Sequence, residues 1–180
     1  AKLKQYHKDL YEQKVIKRLN DQSQAKGIIE VLRKGITDGF TDTKLNLFYD
    51  KPVSSYNTNA DALYKANIFS VMRQVYFSPK NKKSLDMMVF VNGMPVISFE
   101  LKNELTKQNV AHAIKQYKVD RDPNEEIFSL GRLIVNFAVD TEEAWMCTQL
   151  KAERTYFLPF NKGNNNGAGN PLNEGIKTDY

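Results

Sequence analysis

Cysteine, histidine and long apolar runs are scarce in this sequence. Among 180 residues there is one cysteine, Cys147, which excludes an internal disulfide framework and fits a reducing compartment. Together with only two histidines, His7 and His112, it cannot supply a zinc site of the usual composition. Because no signal peptide, lipidation motif or membrane-spanning apolar run is present, we expect a soluble cytoplasmic protein without a membrane partner.

The overall composition is that of an ordinary globular domain. Hydrophobic residues make up 41% and charged residues 26% of a chain long enough for one domain with a sizeable core. The formal net charge of +5 favours a polyanionic partner such as DNA. It does not establish one, because many basic proteins bind no nucleic acid.

A hairpin is predicted between residues 84 and 103. Two apolar runs, Met87 to Val91 and Pro95 to Leu101, flank the dipeptide Asn92-Gly93. An Asn-Gly pair between apolar runs is the strongest short signal for a β-hairpin. We therefore expect two antiparallel strands joined by a tight turn.

The second strand of this hairpin carries charge on one face. Because side chains alternate between the faces of a strand, Glu100 and Lys102 point one way while Phe99 and Leu101 point the other. This pattern predicts a strand whose apolar face lies on the core and whose charged face lies at a site.

The position of Asp86 relative to Glu100 depends on the turn. With a two-residue turn, Asp86 falls opposite Phe99 and the two carboxylates end on opposite faces. With a three-residue loop and a bulge, Asp86 lies opposite Ser98 and shares a face with Glu100. If these residues cooperate, we expect the three-residue loop or an equivalent bulge.

Two carboxylates beside a lysine would suit a hard divalent cation. Mg²⁺ takes oxygen ligands, so Asp86, Glu100 and the backbone carbonyl of Leu101 are its candidate ligands. Lys102 would then orient or deprotonate an attacking water, or stabilise charge that develops on phosphorus. The alternative is a solvated surface ion pair, which is what most isolated Glu-x-Lys triplets are.

A basic turn precedes Asp86. Lys80, Lys82 and Lys83 lie in the segment SPKNKK, which leads directly into the first strand of the hairpin. We interpret these lysines as candidate contacts to the DNA backbone. A solvated turn is an equally good interpretation of the same residues.

The segment LDMMVFVNGMPVISFELKN resembles the nuclease motif of the R (restriction and motor) subunit of type I restriction enzymes, members of the PD-(D/E)xK superfamily. The resemblance continues through AIKQYKVDRDP, NFAVD, FLPFNKG and GAGNP, and upstream through VLRKGI and the segment with Arg73-Gln74. The proline that names the superfamily is absent, since Leu85 precedes the aspartate.

The resemblance implies roles for particular residues. Asp86 and Glu100 match the metal-binding positions and Lys102 the catalytic lysine. Gln116 and Tyr117 stand where the family has a functional Gln-Tyr element, although some relatives space the two further apart. On this basis Gln116 is a candidate catalytic residue and Tyr117 a candidate DNA contact.

The helical period from Thr106 to Arg121 adds to that interpretation. Val110, Ala113, Ile114 and Tyr117 form one apolar stripe. Gln116 lies on the edge of the stripe and could reach the site, whereas the central position of Tyr117 favours the core.

The elements around the hairpin predict a mixed α/β order. We expect a helix over residues 3–20, a loop or short helix over 54–65, a helix over 106–121, and strands over 28–32, 45–49, 68–77, 133–139, 144–150 and 155–160. This order fits the restriction-endonuclease-like core, a central mixed sheet flanked by helices.

The resemblance also implies the wider function. It implies a Mg²⁺-dependent endonuclease domain over residues 1–160, with a catalytic core over about 67–150, that cleaves double-stranded DNA. The Gly- and Asn-rich residues 161–180 would form a loop leading to an absent ATP-driven motor, and they contain no Gly-Lys-Ser/Thr for binding ATP themselves. Methylation and specificity subunits are the implied partners. The alternatives are a related repair nuclease and a catalytically silent DNA-binding scaffold.

Overall fold

The computed structural model describes residues 2–54 and 56–160. The helices are α1 (Lys2–His7), α2 (Tyr11–Lys26), α3 (Ile28–Lys34), α4 (Thr58–Lys65) and α5 (Val110–Lys115). The strands are β1 (Ile36–Thr37), β2 (Lys44–Leu45), β3 (Phe69–Tyr76), β4 (Ser84–Val91), β5 (Met94–Leu101), β6 (Val135–Val139), β7 (Ala144–Cys147) and β8 (Leu158–Pro159). Short 3₁₀ turns at Lys8–Leu10, Glu104–Thr106 and Glu126–Phe128 and a π turn at Gln116–Asp120 complete the elements.

These elements group into two compact units. The first contains the residues up to Ser70 together with Phe90–Met94, and the second contains Val71–Val89 and the described residues from Pro95 onward. The Gly- and Asn-rich loop predicted over 161–180 lies outside the described residues.

The first unit is mainly helical. The helix predicted over residues 3–20 is present as α1 and α2, separated by the 3₁₀ turn. The segment over 54–65 contains α4, whose first turn is capped by Asn57 through a 3.0 Å hydrogen bond from the backbone N–H of Ala60. Strands β1 and β2 form a two-stranded antiparallel sheet, in which Ile36 pairs with Leu45.

The strand predicted over residues 28–32 was wrong, because this segment is helix α3. Ile28 and Val31, three residues apart, are buried, whereas Ile29 is 49% exposed. This spacing is helical, and a short, mostly apolar segment cannot distinguish a strand from a buried helical turn. Gly27 and Gly35, with φ of 83° and 72°, bound the helix on either side.

The second unit is built on a six-stranded mixed sheet with the order β3-β4-β5-β6-β7-β8. Strands β5 and β6 are parallel, with Leu101 opposite Val139, and α5 lies in the crossover between them. Strands β6, β7 and β8 are antiparallel neighbours. This is the predicted α/β class, a mixed sheet with flanking helices that is consistent with a restriction-endonuclease-like core.

No helix within residues 2–54 and 56–160 is long and apolar enough to cross a membrane.

Candidate active site

Strand β5 places Glu100 in the interior. Met94, Val96, Ser98 and Glu100 alternate along the strand and are all buried, and Glu100 has no exposed surface. We had predicted that the apolar face of Phe99 and Leu101 would lie on the core and the charged face at a site. The placement of the apolar face was wrong, because the face of Glu100 packs inward while Leu101 is 41% exposed.

The turn of the hairpin contains two residues. Asn92 and Gly93 have φ of 50° and 81°, the pair of left-handed conformations that defines a type I′ turn. Of the two arrangements that we had predicted for cooperating residues, a three-residue loop or an equivalent bulge, the three-residue loop is therefore wrong.

Asp86 nevertheless approaches the end of β5. Its Oδ2 accepts a 2.8 Å hydrogen bond from the backbone N–H of Leu101 and lies 3.8 Å from Nζ of Lys102. Backbone N–H groups of a strand point along the sheet rather than off its faces. The carboxylate of Asp86 therefore lies at the edge of β5, beside the backbone of Leu101 and near Lys102.

Glu100 is held by an arginine that we did not predict. Nε of Arg121 donates to Oε1 of Glu100 at 2.7 Å, and both side chains are almost wholly buried. Arg121 also donates to the carbonyl of Ser84 at 2.8 Å and lies over the ring of Phe77. These contacts fix the guanidinium, and through it one oxygen of Glu100.

The second oxygen of Glu100 is buried and accepts no hydrogen bond. This holds for Oε2 with respect to every described residue. Burial raises the pKa of Glu100 to about 8; Arg121 opposes this rise, and the charge of the neighbouring Asp86 and a side-chain hydrogen bond with it add to the rise. A carboxyl of this kind holds its proton near neutral pH and loses it readily when a cation arrives.

Gln116 and Tyr117 lie on the helical crossover after β5. Gln116 begins the π turn, is half-buried and forms no side-chain hydrogen bond to another described residue. Tyr117 is fully buried, and its hydroxyl lies 2.8 Å from Oγ of Ser98, which donates to Asn136. Burial raises the pKa of Tyr117 well above its ordinary value. The ring therefore occupies the core position that the apolar stripe favours, with no surface available to DNA.

The three lysines of the basic turn differ in their contacts. Nζ of Lys83 donates to the carbonyl of Asp120 at 2.8 Å, and Nζ of Lys80 lies 4.0 Å from Glu125. Lys82 is exposed, and its side chain contacts no acidic group among the described residues. Lys82 is therefore the best placed of the three to meet a phosphate.

The donor set fits a hard divalent cation. Asp86 and the unpartnered Oε2 of Glu100 provide anionic oxygens. Because the N–H and C=O of a strand residue leave the same edge, the Leu101 carbonyl also faces the side on which Asp86 lies. Among the residues that the structure describes, no group of three or more His, Cys, Asp or Glu side chains could hold a metal ion.

Sequence reasoning could have found Arg121. It follows Tyr117 by four residues and so continues the apolar stripe of the helix. A buried arginine requires a carboxylate partner, and the only acidic residue within the buried β5 face is Glu100.

The fold defines a class, that of α/β domains with a six-stranded mixed sheet, and it is consistent with a restriction-endonuclease-like core. The model of the family "type I restriction enzyme R protein N terminus" matches residues 2–155, and the chain belongs to this family. No curated protein and no solved structure matches it significantly.

Proposed function

We propose that this chain is the Mg²⁺-dependent endonuclease domain of a type I restriction enzyme R subunit. The observation that carries the proposal is the convergence of Asp86, Lys102 and a buried Glu100 with one unpartnered oxygen. The family membership supports it, since the match covers the strands that bear all three residues. The substrate would be the phosphodiester backbone of double-stranded DNA.

Asp86, Oε2 of Glu100 and the carbonyl of Leu101 are the proposed ligands of the cation. When bound, Mg²⁺ would lower the pKa of a coordinated water and neutralise charge on the phosphate oxygens. Its binding requires that Glu100 release the proton that burial retains.

The chain's own residues would perform the remaining work. Arg121 fixes Oε1 of Glu100 and thereby leaves Oε2 as the free oxygen. Lys102, as a compact cation beside Asp86, would orient the attacking water or stabilise charge developing on phosphorus. Gln116, half-buried on the crossover, remains a candidate for positioning substrate.

The proposed link to an ATP-driven motor and to partner subunits rests on family membership alone. It supports coupling of cleavage to an ATP-driven motor outside these residues, and association with methylation and specificity subunits. The exposed Lys82 would contribute to binding of the DNA backbone.

The test is Lys102→Ala in the complete enzyme, with DNA cleavage and ATP turnover measured separately. We expect cleavage to fall by at least about 100-fold, as for loss of a preorganised charged group, while ATP turnover continues. The matched control is Lys115→Ala, an exposed lysine on α5, which should leave both activities unchanged. Loss of both activities in Lys102→Ala would contradict the proposal and indicate a structural role.

A second candidate is a catalytically silent DNA-binding scaffold. The observation that favours it is the buried ion pair of Glu100 with Arg121, which already occupies one carboxylate oxygen. Binding of Mn²⁺ by Asp86 and Glu100 would decide for the nuclease, and a site that stays without the ion at saturating Mn²⁺ would decide for the scaffold.

A further inference from the structure

Gln74 has an unusual backbone conformation in the middle of an edge strand. It lies within β3, yet its φ is 51°, in the left-handed region that favours glycine. Such conformations persist in non-glycine residues where surrounding contacts hold them, and they cluster at functional sites. A left-handed residue inside a strand also redirects its side chain, as in a β-bulge.

The side chain of Gln74 points to the residues around the proposed metal ligand. Its Oε1 accepts a 2.9 Å hydrogen bond from Oγ of Ser84, and its Nε2 lies 3.4 Å from Oδ1 of Asp86. Because the carboxylate of Asp86 can only accept, the NH₂ group is the end that faces it, and the Ser84 hydroxyl, which can donate, meets the amide oxygen. The orientation of the amide is therefore set by Asp86, and Ser84 holds its other end.

This contact completes the hydrogen bonding of Asp86. Oδ2 is held by the N–H of Leu101 and faces Lys102, whereas the hydrogen bond from Gln74 is the one that Oδ1 receives from the described residues. Both oxygens of the Asp86 carboxylate are therefore held by hydrogen bonds, one from Gln74 and one from Leu101. Carboxylates that bind metals are commonly oriented by such outer partners.

We propose that Gln74 is a positioning residue that orients Asp86 for the cation, and that its left-handed backbone is kept for this purpose. The inference rests on the proposed function, because it assigns Asp86 to a metal. The competing explanation is that Gln74 only shapes the edge of the sheet.

The two explanations make opposite predictions for Gln74→Gly. Glycine adopts positive φ without strain but lacks the amide. We expect Gln74→Gly to unfold at the same or a higher urea concentration than the native chain, while its Mn²⁺ dissociation constant rises by about tenfold or more. A purely structural role predicts no change in Mn²⁺ affinity.

Two further variants of the whole chain sharpen the test, with Mn²⁺ binding measured by calorimetry for each. Met72→Gly removes another exposed side chain of β3 and should lower the urea midpoint without changing Mn²⁺ affinity. Ser84→Ala should weaken Mn²⁺ binding less than Gln74→Gly, and the double variant should be no worse than Gln74→Gly, because both act through one amide.

The outcomes separate this inference from the proposed function. If the unsubstituted chain binds Mn²⁺ and Gln74→Gly binds it equally tightly, the role of Gln74 is overturned while the metal site stands. A native chain that binds no Mn²⁺ would overturn the metal site itself and this inference with it. Weaker Mn²⁺ binding in Gln74→Gly with undiminished stability supports both.

Discussion

Arg121 and Glu100 form a buried pair in which Nε donates to Oε1 at 2.7 Å and Oε2 accepts no hydrogen bond. Burial raises the pKa of Glu100 to about 8, so both partners carry charge only once that proton is released. Two buried charges cost free energy that their attraction only partly offsets. The pair therefore suits a carboxyl that ionises when a cation binds rather than one that serves stability.

Removing the arginine should destabilise the fold strongly. Arg121→Ala leaves Glu100 buried without its partner, and above pH 8, where Glu100 is ionised, we expect the free energy of unfolding to fall by about 3–5 kcal/mol. The control is Lys65→Ala, which breaks an exposed ion pair with Asp61 and should change the free energy of unfolding far less, because solvent screens exposed charges. Urea denaturation measures both, and a similar small loss in the two variants would contradict the account of the buried pair.

The stability of the metal-free chain should fall as the pH rises. Folded Glu100 keeps its proton up to a pKa of about 8, whereas the unfolded chain releases it near 4.5. Between these values the folded state binds more protons, so rising pH disfavours folding through this group. The urea midpoint at a series of pH values from 5 to 9 measures the slope.

Glu100→Gln is the matched variant for that slope. The amide keeps the shape of the carboxyl but does not titrate, so the decline in the urea midpoint between about pH 4.5 and about pH 8 should flatten. An undiminished decline in Glu100→Gln would show that other groups cause it.

A divalent cation should stabilise the chain more at high pH than at low pH. Mn²⁺ binds only the folded site, so it should raise the melting temperature, and by more above pH 8 than at pH 6 because Glu100 must be ionised. Asp86→Asn should abolish the rise, whereas Asp50→Asn, at an exposed position, should preserve it. A pH-independent rise, or one retained in Asp86→Asn, would place the ion elsewhere.

Lys82 should contribute to DNA binding through charge. We expect Lys82→Ala to weaken binding of duplex DNA and to reduce the slope of log affinity against log salt by about 1. Lys83→Ala should change the slope less, because its ammonium group is already bound to the carbonyl of Asp120. Equal salt slopes in Lys82→Ala and the native chain would exclude this contact.

Much of the sheet could be predicted from the sequence because its strands carry strong local signals. The Asn92-Gly93 turn fixed the hairpin, and the alternating residues over 68–77 and 133–139 correspond to β3 and β6. The strand predicted over 28–32 was wrong because four apolar residues in a run of five fit a helical turn as well as a strand.

The site was predictable in its residues and less so in its geometry. Asp86, Glu100 and Lys102 stood out by chemical type, but face alternation could not show that Asp86 lies along the sheet beside Leu101. Nor could it show that Glu100 is deeply buried, since this depends on Arg121, distant in sequence. The contact from Gln74 depends on a backbone conformation for which its side chain gives no local signal.

The central claim is that Asp86 and Glu100 hold one divalent cation together. Its most direct test is a crystal structure of this chain grown with Mn²⁺ above pH 8, in which anomalous scattering locates the ion. We predict one strong peak between Oε2 of Glu100 and the Asp86 carboxylate, with the Leu101 carbonyl as a further ligand. No peak there at saturating Mn²⁺, with Arg121 still paired to Glu100, would contradict the account.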